Sequence, residues 1–509
     1  MLTILLQKIK QILNHKVILI SLLFLLIFGG YLRFFNLSSQ SYWMDEGYTV
    51  NAVMSITGHG DTVLDSGQNY SCFTYCYPTA LLIKIFGATP ETYRLLATLA
   101  GLLLILAIFF ITKKLFSRNI ALLSSFFMTF SYWQIAWSRQ ARWYTLFTLF
   151  FWLSLYFFYQ SLYSENKRYL NVVLCTIFTV LSVLTHGLSY LLPVIFISWL
   201  LIDQIIIKKK FNYKKISLIV VGGIIIFYIF NLISNINIIG YLLTTFKLHY
   251  VLPYYLSFYL RNYWLFIILG LVALFSKENK YKKEMCLLLF TLGTYFISLS
   301  FFTDIVHYRY LFQVTPVFFI LGSIGLLSLH QDIKPLYGKI ILWIVTLGLF
   351  TTIAGGVFIP QTNYYLESDN PESFDRPYYA YTPQPDWSGA YDYIRMRKKA
   401  NEVIVSSLPQ FNKIFLGEAG YWIKYSYLGF DDTAEYSKNN KEYYVNAEII
   451  NNLAELQTLT SSKHGYIVFD YMVTQGRISD DILNYINNSL SLVFHEKTNS
   501  YSEVWVYKF

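Results

Sequence analysis

Long apolar runs recur along the sequence, and they constrain the fold more than any other feature. A helix needs about 20 mainly apolar residues to cross a hydrocarbon core of about 30 Å. About eleven such runs precede Pro360, centred near residues 26, 102, 128, 153, 178, 198, 226, 269, 294, 318 and 349. Hydrophobic residues make up 55% of the chain and charged residues only 14%, too little polar surface for a soluble domain. The sequence therefore predicts an α-helical polytopic membrane protein.

The basic residues are distributed unevenly between the two sides of the predicted spans. Nineteen of the forty Lys and Arg residues fall before or between spans on the N-terminal side, and eight fall in the opposite loops. Because short basic loops are costly to translocate, we expect a cytoplasmic N-terminus in the cytoplasmic membrane and, after an odd number of spans, an extracytoplasmic tail. The net charge of +10 then reflects topology and does not indicate a nucleic-acid partner.

The composition changes from apolar to polar between Pro360 and Asn363. We therefore expect a membrane domain at 1–360, with a long outer loop at 36–91, and an extracytoplasmic α/β domain at 361–509. In the tail, the patterns predict helices at Trp387–Ala400, Ala447–Leu459 and Asp480–Asn487, strands at Glu402–Ser406 and Gly465–Tyr471, an irregular packed connector at 371–385, and a closing hairpin formed by LSLVFHEK and SEVWVYKF.

Residues capable of chemistry collect in the loops predicted to face outward. Asp45 and Glu46 are adjacent in SYWMDEGYTV, about ten residues after the first apolar run. The other outer turns contribute Arg139, Arg142, Tyr144, His186, Asp304, His307, Arg309 and Tyr310. These groups exceed what topology requires, so we expect the loops to converge on a polar pocket at the membrane surface.

This combination of groups suits the transfer of a group from a lipid phosphate. A carboxylate can take the proton of an attacking hydroxyl, while arginine or a metal can stabilise the charge that grows on the departing phosphate. No nucleotide is available outside the cytoplasmic membrane. The expected donor is therefore a membrane-embedded polyprenyl-phosphate sugar.

Each of these residues also has a plain structural explanation. The two acids can cap a helix, because acids favour helix N-termini, and the two arginines of the second outer turn can anchor the chain at the bilayer edge. His186 and His307 can be packing residues whose polar atoms find partners in the fold. Cys72 and Cys76 could form a disulfide, although their spacing in a loop that could be helical favours a free pair.

Several motifs also carry a resemblance to a known family. YWMDEGY, YPTALLIKIFGATPETYRLLATLAGLL, SRQARWYTL, LTHGLSYLL and HYRYLFQVTP follow one another in the order seen in glycosyltransferases of the GT-C superfamily. From about residue 15 to 360 the chain resembles the protein-mannosyltransferase and aminoarabinose-transferase branch, whose bacterial members use polyprenyl-phosphate sugars. The tail, opening with DWSGAYDYI, resembles the outer domain that many of these proteins append.

The resemblance implies roles for individual residues. It places the catalytic carboxylate at Asp45 with Glu46 as the neighbouring acid, which assists or orients it. It implies donor binding by Arg142, Tyr144, His186, His307, Arg309 and Tyr310.

Two departures from the family pattern bear on a metal. Gln140 stands where relatives often have Glu, and Cys76-Tyr77-Pro78 stands where they often have His-Pro-Pro. Each change removes a candidate ligand. No cofactor is therefore predicted firmly, and a divalent metal stays open, with Asp45 or Glu46 as its ligand.

The favoured function is a glycosyltransferase that moves a sugar from a polyprenyl-phosphate donor to a glycan, lipid or protein acceptor. The first alternative is a transporter or flippase of lipid-linked glycans. Transporters tend to place ionisable groups at the bilayer midplane and to have repeated halves, whereas here the charges lie at loop ends and no repeat is evident. The second alternative is a scaffold or receptor, which leaves the acid and arginine loops without a task.

Overall fold

The structure is a computed structural model of the 509-residue chain. It describes residues 2–164, 167–204, 252–275, 281–301, 308–352, 354–362, 364, 385–423, 437–438, 441–471, 473–474, 478–497 and 503–509.

The chain forms two compact units that do not follow a single cut in the sequence. The helical unit comprises Met1–Phe34, Thr98–Ser138 and Trp143–Pro360. The sheet unit comprises Phe35–Ala97, Arg139–Arg142 and Gln361–Phe509. The outer loop thus groups with the tail in one compact body. The boundary placed near Pro360 from composition coincides with one of the unit boundaries.

Long apolar helices dominate the helical unit and identify a multi-pass membrane protein. Among the described residues, six helices are long and apolar enough to cross a membrane. They are Lys16–Phe34 (the apolar part of α1, Leu2–Phe34), Pro90–Leu115 (α4), Tyr144–Tyr163 (α7), Arg168–Thr185 (α8), Lys282–Phe301 (α12) and Tyr308–Asp332, which ends in α13 (Thr315–Asp332). A pair bent by 91°, Leu252–Asn262 (α10) and Trp264–Phe275 (α11), makes a seventh if it counts as one span.

The predicted number of eleven spans is not confirmed. The runs near residues 128, 198 and 349 form apolar helices shorter than 18 residues, at Arg118–Phe130 (α5), Gly187–Ile202 (ending in α9, Leu191–Ile202) and Leu336–Thr352 (α14). The run near residue 226 lies outside the described residues. A short helix, Tyr132–Ser138 (α6), follows α5. Apolar length alone therefore does not separate a full span from a shorter helix packed among its neighbours.

The sheet unit contains a mixed sheet of eight strands. The strands are β1 (Val403–Ser406), β2 (Tyr421–Ile423), β3 (Ser437–Lys438), β4 (Lys441–Glu442), β5 (Glu448–Ile450), β6 (Gly465–Asp470), β7 (Ser491–Lys497) and β8 (Glu503–Lys508). Their order is β3-β4-β5-β2-β1-β6-β8-β7. The four central strands, β5, β2, β1 and β6, are parallel to one another. The pairs toward both edges of the sheet are antiparallel.

Helices cover this sheet, as an α/β domain requires. Leu456 on α17 (Leu453–Ser462) and Ile482 and Ile486 on α18 (Asp480–Ser489) share one apolar cluster with strand residues such as Val405 and Ile467. All six residues of β6 are buried, as is typical of parallel strands covered on both faces. The predicted α/β tail is confirmed as a small sheet domain.

Details of the tail differ from the sequence patterns. The predicted helix at Ala447–Leu459 is wrong in its first part, because that part is strand β5 and the helix begins only at Leu453. The helix predicted at Trp387–Ala400 ends at Arg395 (α15). Strand β2 and the helix Pro409–Leu416 (α16) were not predicted. Nearly all of the connector at 371–385 lies outside the described residues.

The remaining helices of the sheet unit are α2 (Met44–His59) and α3 (Phe73–Phe86) of the outer loop. Helix α16 packs against α2 at Gly47, where an added Cβ would lie only 2.9 Å from Gln410 Cγ and 3.1 Å from Phe411 Cε1. Asn51 Nδ2 donates to the carbonyl of Gln410 at 3.2 Å. The glycine therefore permits the close approach of α16 to the helix that bears both candidate acids.

Candidate active site

The first turn of α2 presents the two acids in different directions. Helix α2 begins at Met44 after Trp43, whose backbone is extended, and Glu46 Oε2 accepts a hydrogen bond from Trp43 N at 3.3 Å. This bond satisfies one amide that the helix start leaves without an intrahelical partner. Consecutive helical residues differ by about 100° in direction. Asp45 and Glu46 therefore meet different surroundings although they are adjacent in sequence.

Glu46 forms a sealed ion pair with Arg94. Arg94 Nε donates to Glu46 Oε1 at 2.9 Å and Nη2 donates to Oε2 at 3.0 Å, and both side chains are 1% exposed. Ala141 N also donates to Oε1 at 2.6 Å. Each carboxylate oxygen thus accepts two N–H donors. Glu46 holds the start of α2, helix α4 and the Arg139–Arg142 turn together.

Arg94 has further acceptors that complete this arrangement. Its Nη1 donates to the carbonyls of Leu37 and Gln40, both at 2.8 Å, and its Nη2 donates to the carbonyl of Ser41 at 3.3 Å. A buried ion pair is tolerated when additional hydrogen bonds satisfy its remaining polar atoms. No local sequence signal marks this role of Arg94, because its partners lie about fifty residues away along the chain.

Asp45 forms a second, more accessible pair with Arg142. Arg142 Nη2 lies 3.4 Å from Asp45 Oδ2, and the Asp45 side chain is 13% exposed. Arg142 Nη1 donates to the Asp45 carbonyl and to Thr49 Oγ1, both at 2.9 Å, and to the Tyr70 hydroxyl at 2.8 Å. Arg142 is therefore fixed beside Asp45 by three acceptors, while the carboxylate of Asp45 keeps some access to solvent.

Tyr70 belongs to the same cluster as a neutral hydroxyl. Burial raises the pKa of Tyr70 above its ordinary value, and the negative charge of Asp45 raises it further, while Arg142 opposes the shift. The phenol therefore stays protonated at neutral pH. It supplies an oxygen that holds the Arg142 guanidinium without adding charge.

Arg139 has a different task from Arg142 although both lie in one turn. It donates to the carbonyls of Phe35 at 2.7 Å and of Asn36 and Thr362, both at 3.1 Å. Burial lowers the pKa of Arg139 to about 10, with Arg94 adding to the effect and Tyr364 opposing it. The side chain stays charged at neutral pH and ties the start of the loop to the start of the tail.

The other candidates that the structure describes come together in the helical unit. The ring of His186 lies 5.6 Å from that of Tyr144, 6.0 Å from that of Tyr310 and 5.1 Å from that of Phe147. Arg309 Cζ lies 5.9 Å from the ring centre of Tyr144 and 5.8 Å from that of Tyr310. Tyr144, His186, Arg309 and Tyr310 therefore form one cluster of aromatic rings around a cation. His307 lies outside the described residues.

One hydrogen bond fixes the tautomer of His186. Its Nδ1 accepts from Leu188 N at 3.1 Å, because His186 caps the short helical turn Gly187–Tyr190. A neutral ring that accepts at Nδ1 carries its proton on Nε2. His186 can therefore donate through Nε2 to an anionic oxygen.

One sequence expectation is settled at the start of α3. Cys72 and Cys76 form a disulfide at the start of α3, so the favoured free pair is wrong. A spacing of four at a helix start brings the two Cα atoms to 5.4 Å, within the range of disulfides. The backbone carbonyl of buried Gln140 accepts from Arg142 N at 2.7 Å, which shapes the turn.

The described residues do not offer a ready metal site. Both oxygens of Glu46 are occupied by N–H donors, and Asp45 faces a guanidinium. Within the part of the chain that the structure describes, no group of three or more His, Cys, Asp or Glu side chains could hold a metal ion. The donor set at Asp45 and Glu46 therefore does not fit a divalent cation.

Comparisons with known proteins agree with this fold. Residues 73–230 match the family model of dolichyl-phosphate-mannose-protein mannosyltransferases. The crystal structure of ArnT from Cupriavidus metallidurans is similar in its apo state (TM-score 0.58, 13% identity, 97% of this chain and 98% of that chain). The same protein bound to undecaprenyl phosphate gives a TM-score of 0.57 at 13% identity, with the same coverage. No curated protein sequence matches.

A second type of enzyme shares the fold. The Archaeoglobus fulgidus oligosaccharyltransferase in complex with Zn and sulfate has a TM-score of 0.54 at 13% identity, over 95% of this chain and 72% of that chain. The archaeal oligosaccharyltransferase AglB in complex with an inhibitory peptide and a dolichol-phosphate has a TM-score of 0.52 at 12% identity, over 97% and 74%. The family model confirms the resemblance to protein mannosyltransferases over residues 73–230, and these structures confirm the fold.

Proposed function

We propose that this chain is a glycosyltransferase that moves a sugar from a polyprenyl-phosphate carrier to a hydroxyl or similar nucleophile on an acceptor. The observation that supports it most is the contrast between the two acids of α2. Glu46 is fully engaged by four N–H donors, whereas Asp45 retains an accessible carboxylate beside a fixed arginine. The ArnT structure with undecaprenyl phosphate and the AglB structure with a dolichol-phosphate support a lipid-phosphate carrier.

Asp45 acts as the general base in this proposal. The acceptor oxygen forms a bond to the anomeric carbon of the sugar, and the carbon–oxygen bond to the phosphate breaks. The polyprenyl phosphate leaves with the electron pair of that bond, and the proton of the acceptor passes to the Asp45 carboxylate. Arg142 holds Asp45 in position and Glu46 orients the helix start, so Glu46 positions the base and does not itself take the proton.

The cluster in the helical unit is assigned to the donor. Arg309 and the Nε2 proton of His186 can donate to phosphate oxygens, and Tyr144 and Tyr310 lie beside the guanidinium. Charge-assisted bonds from arginine to phosphate are among the stronger hydrogen bonds in proteins. An Arg309→Gln variant is therefore expected to raise the KM for the donor more than it lowers kcat.

The deciding experiment replaces the proposed base. Membranes containing wild-type protein, Asp45→Asn or Asp61→Asn receive polyprenyl-phosphate sugar and an envelope extract, and products are read by mass spectrometry. We expect Asp45→Asn to lose activity by about a hundredfold or more. Asp61 is an exposed acid of the same loop that pairs with His59, so Asp61→Asn should keep wild-type activity. Undiminished transfer by Asp45→Asn would refute the assignment.

The proposed function also requires a particular orientation of the chain in the membrane. We infer a cytoplasmic N-terminus and an extracytoplasmic sheet unit from the Lys and Arg distribution. The disulfide between Cys72 and Cys76 supports this inference, since disulfides persist in oxidising compartments. A membrane-impermeant thiol reagent applied to intact cells should label a cysteine introduced at the exposed residue Met396. If that cysteine is labelled only after the cells are lysed, the sheet unit is cytoplasmic and the inferred orientation is wrong.

A further inference from the structure

A turn in the tail is built rigidly and carries a tyrosine toward the outer loop. We define the Tyr444 turn as residues 442–447, between β4 and β5. Glu442 Oε2 accepts from Tyr444 N at 2.9 Å and from Val445 N at 2.7 Å, while Glu442 N donates to the Ala447 carbonyl at 2.8 Å. Asn446 takes a left-handed conformation with φ 64. Side-chain and backbone bonds together therefore fix the direction of Tyr444.

The ring of Tyr444 packs on two tyrosines of the outer loop. It stacks on Tyr48, with ring centres 3.9 Å apart and planes 23° apart. It meets the ring of Tyr70 edge-on, with centres 6.3 Å apart. Aromatic pairs of this kind contribute about 0.5–1.5 kcal/mol beyond their buried area. Tyr444 thus adds one contact between the tail and the loop, with two tyrosine partners.

Both partners lead directly to the proposed base. Tyr48 lies three residues after Asp45 on α2, so the two side chains occupy neighbouring positions on the helix. Tyr70 accepts a hydrogen bond from Arg142 Nη1 at 2.8 Å, and Arg142 Nη2 lies 3.4 Å from Asp45 Oδ2. Tyr444 therefore supports Asp45 from its own helix and through the arginine that faces it.

We propose that Tyr444 is a positioning residue for the Asp45–Arg142 pair, and that the tail domain takes part in catalysis through this side chain. The inference rests on the proposed function, because it assumes that Asp45 is the base. It assigns the tail a task beyond binding or anchoring. A misplacement of about 1 Å in a reacting group can cost up to about a hundredfold in rate, so a side chain that touches no substrate can still control kcat.

The test uses the full-length chain in membranes with polyprenyl-phosphate sugar as donor. We expect Tyr444→Ala to lower kcat by about tenfold or more while the KM for the donor changes little. Tyr444→Phe keeps the ring and should retain near-wild-type kcat, and Tyr444→Leu should fall between the two. Tyr48→Ala combined with Tyr444→Ala should be no slower than the slower single variant, because both remove one stack.

A matched control separates positioning from general destabilisation. Tyr421 is a half-buried tyrosine on β2 of the same sheet, with its hydroxyl bonded to Lys463 Nζ at 2.8 Å. Tyr421→Ala should reduce the amount of folded protein without changing kcat per folded molecule. Wild-type kcat in Tyr444→Ala, or equal losses in Tyr444→Ala, Tyr444→Phe and Tyr421→Ala, would overturn the inference. If Asp45→Asn is fully active, the proposed function fails instead, whatever Tyr444→Ala does.

Discussion

Two ion pairs of the sheet unit invite comparison because each joins an arginine to one of two adjacent acids, yet the surroundings of the two pairs differ. Glu46 and Arg94 meet at 2.9 Å and are each 1% exposed. Asp45 and Arg142 meet at 3.4 Å, with side chains 13% and 7% exposed. One step along a helix, about 100° of rotation, separates a carboxylate that accepts four N–H donors from one whose side chain is 13% exposed.

The sealed pair shows how the start of α2 is held in place. The sealed pair ties three chain segments together, so the start of α2 cannot shift without breaking a buried charge interaction. Because Asp45 lies in the same first turn of α2, its backbone is held in place by the same ion pair. Under the proposed function, reactivity and rigidity are divided between Asp45 and Glu46, and substitutions should separate the two properties.

The largest expected effect comes from opening the sealed pair. Glu46→Ala leaves the Arg94 guanidinium buried without its carboxylate, and the loss of one partner of a buried pair costs about 3–5 kcal/mol. We expect a strong loss of folded protein in a detergent-solubilised thermal unfolding assay. Asp45→Asn should destabilise the protein less than Glu46→Ala does, since the Asp45 side chain is 13% exposed and Arg142 keeps three other acceptors. Equal unfolding temperatures for Glu46→Ala and wild type would contradict the comparison.

The second largest expected effect is a loss of activity when the Asp45–Arg142 pair is changed. Arg142 uses Nη1 for three acceptors and Nη2 for Asp45, which a single lysine ammonium cannot reproduce. We expect Arg142→Lys to lower kcat by about ten- to a hundredfold. Arg139→Lys is the matched control from the same turn, since Arg139 donates to the backbone carbonyls of Phe35, Asn36 and Thr362. That variant should lose stability but not kcat per folded molecule, and the reverse pattern would assign the roles the other way round.

The sequence predicted those parts of the molecule whose signal is local. Apolar length found the long spans, and strand GYIVFD and the closing hairpin appear as β6, β7 and β8. The sequence also contains a local signal for the start of α17, a capping pattern formed by Asn452 and Glu455. Asn452 Oδ1 accepts from Glu455 N at 3.0 Å, and Asn451 N donates to Glu455 Oε2 at 2.9 Å. This cap at Asn452 places the helix start after strand β5.

Contacts between distant segments could not be predicted in the same way. The pairing of Glu46 with Arg94, the stacking of Tyr48 on Tyr444 and the ion pair of Asp65 with Lys413 join residues that are 48 to several hundred positions apart. Hydrophobic periodicity reports which face of an element is buried, but not which distant segment covers it. The grouping of the outer loop with the tail therefore emerged only from the structure.

The last prediction extends the comparison to Glu442, a buried acid that accepts hydrogen bonds from two backbone amides. Burial raises the pKa of Glu442 to about 7 from 4.5, with backbone donors at Val445 and Tyr444 opposing the shift. Below about pH 4.5 the carboxyl is protonated in both the folded and the unfolded chain. As pH rises toward 7 the unfolded chain loses this proton first, so the stability of the sheet unit should fall across that range and level off above it.

A single substitution checks the sign of this effect. Glu442→Gln removes the charge and keeps an oxygen that can accept from Tyr444 N and Val445 N. We expect the variant to exceed wild type in stability by up to about 3 kcal/mol at pH 8 and to match it near pH 4.5, measured as thermal unfolding at both pH values. Glu448→Gln, which changes an exposed acid of the adjacent strand, is the matched control. If Glu442→Gln is instead less stable at pH 8 than at pH 4.5 relative to wild type, then the ionised carboxylate stabilises the Tyr444 turn. In that case Glu442 resembles Glu46, whose charge is fully compensated.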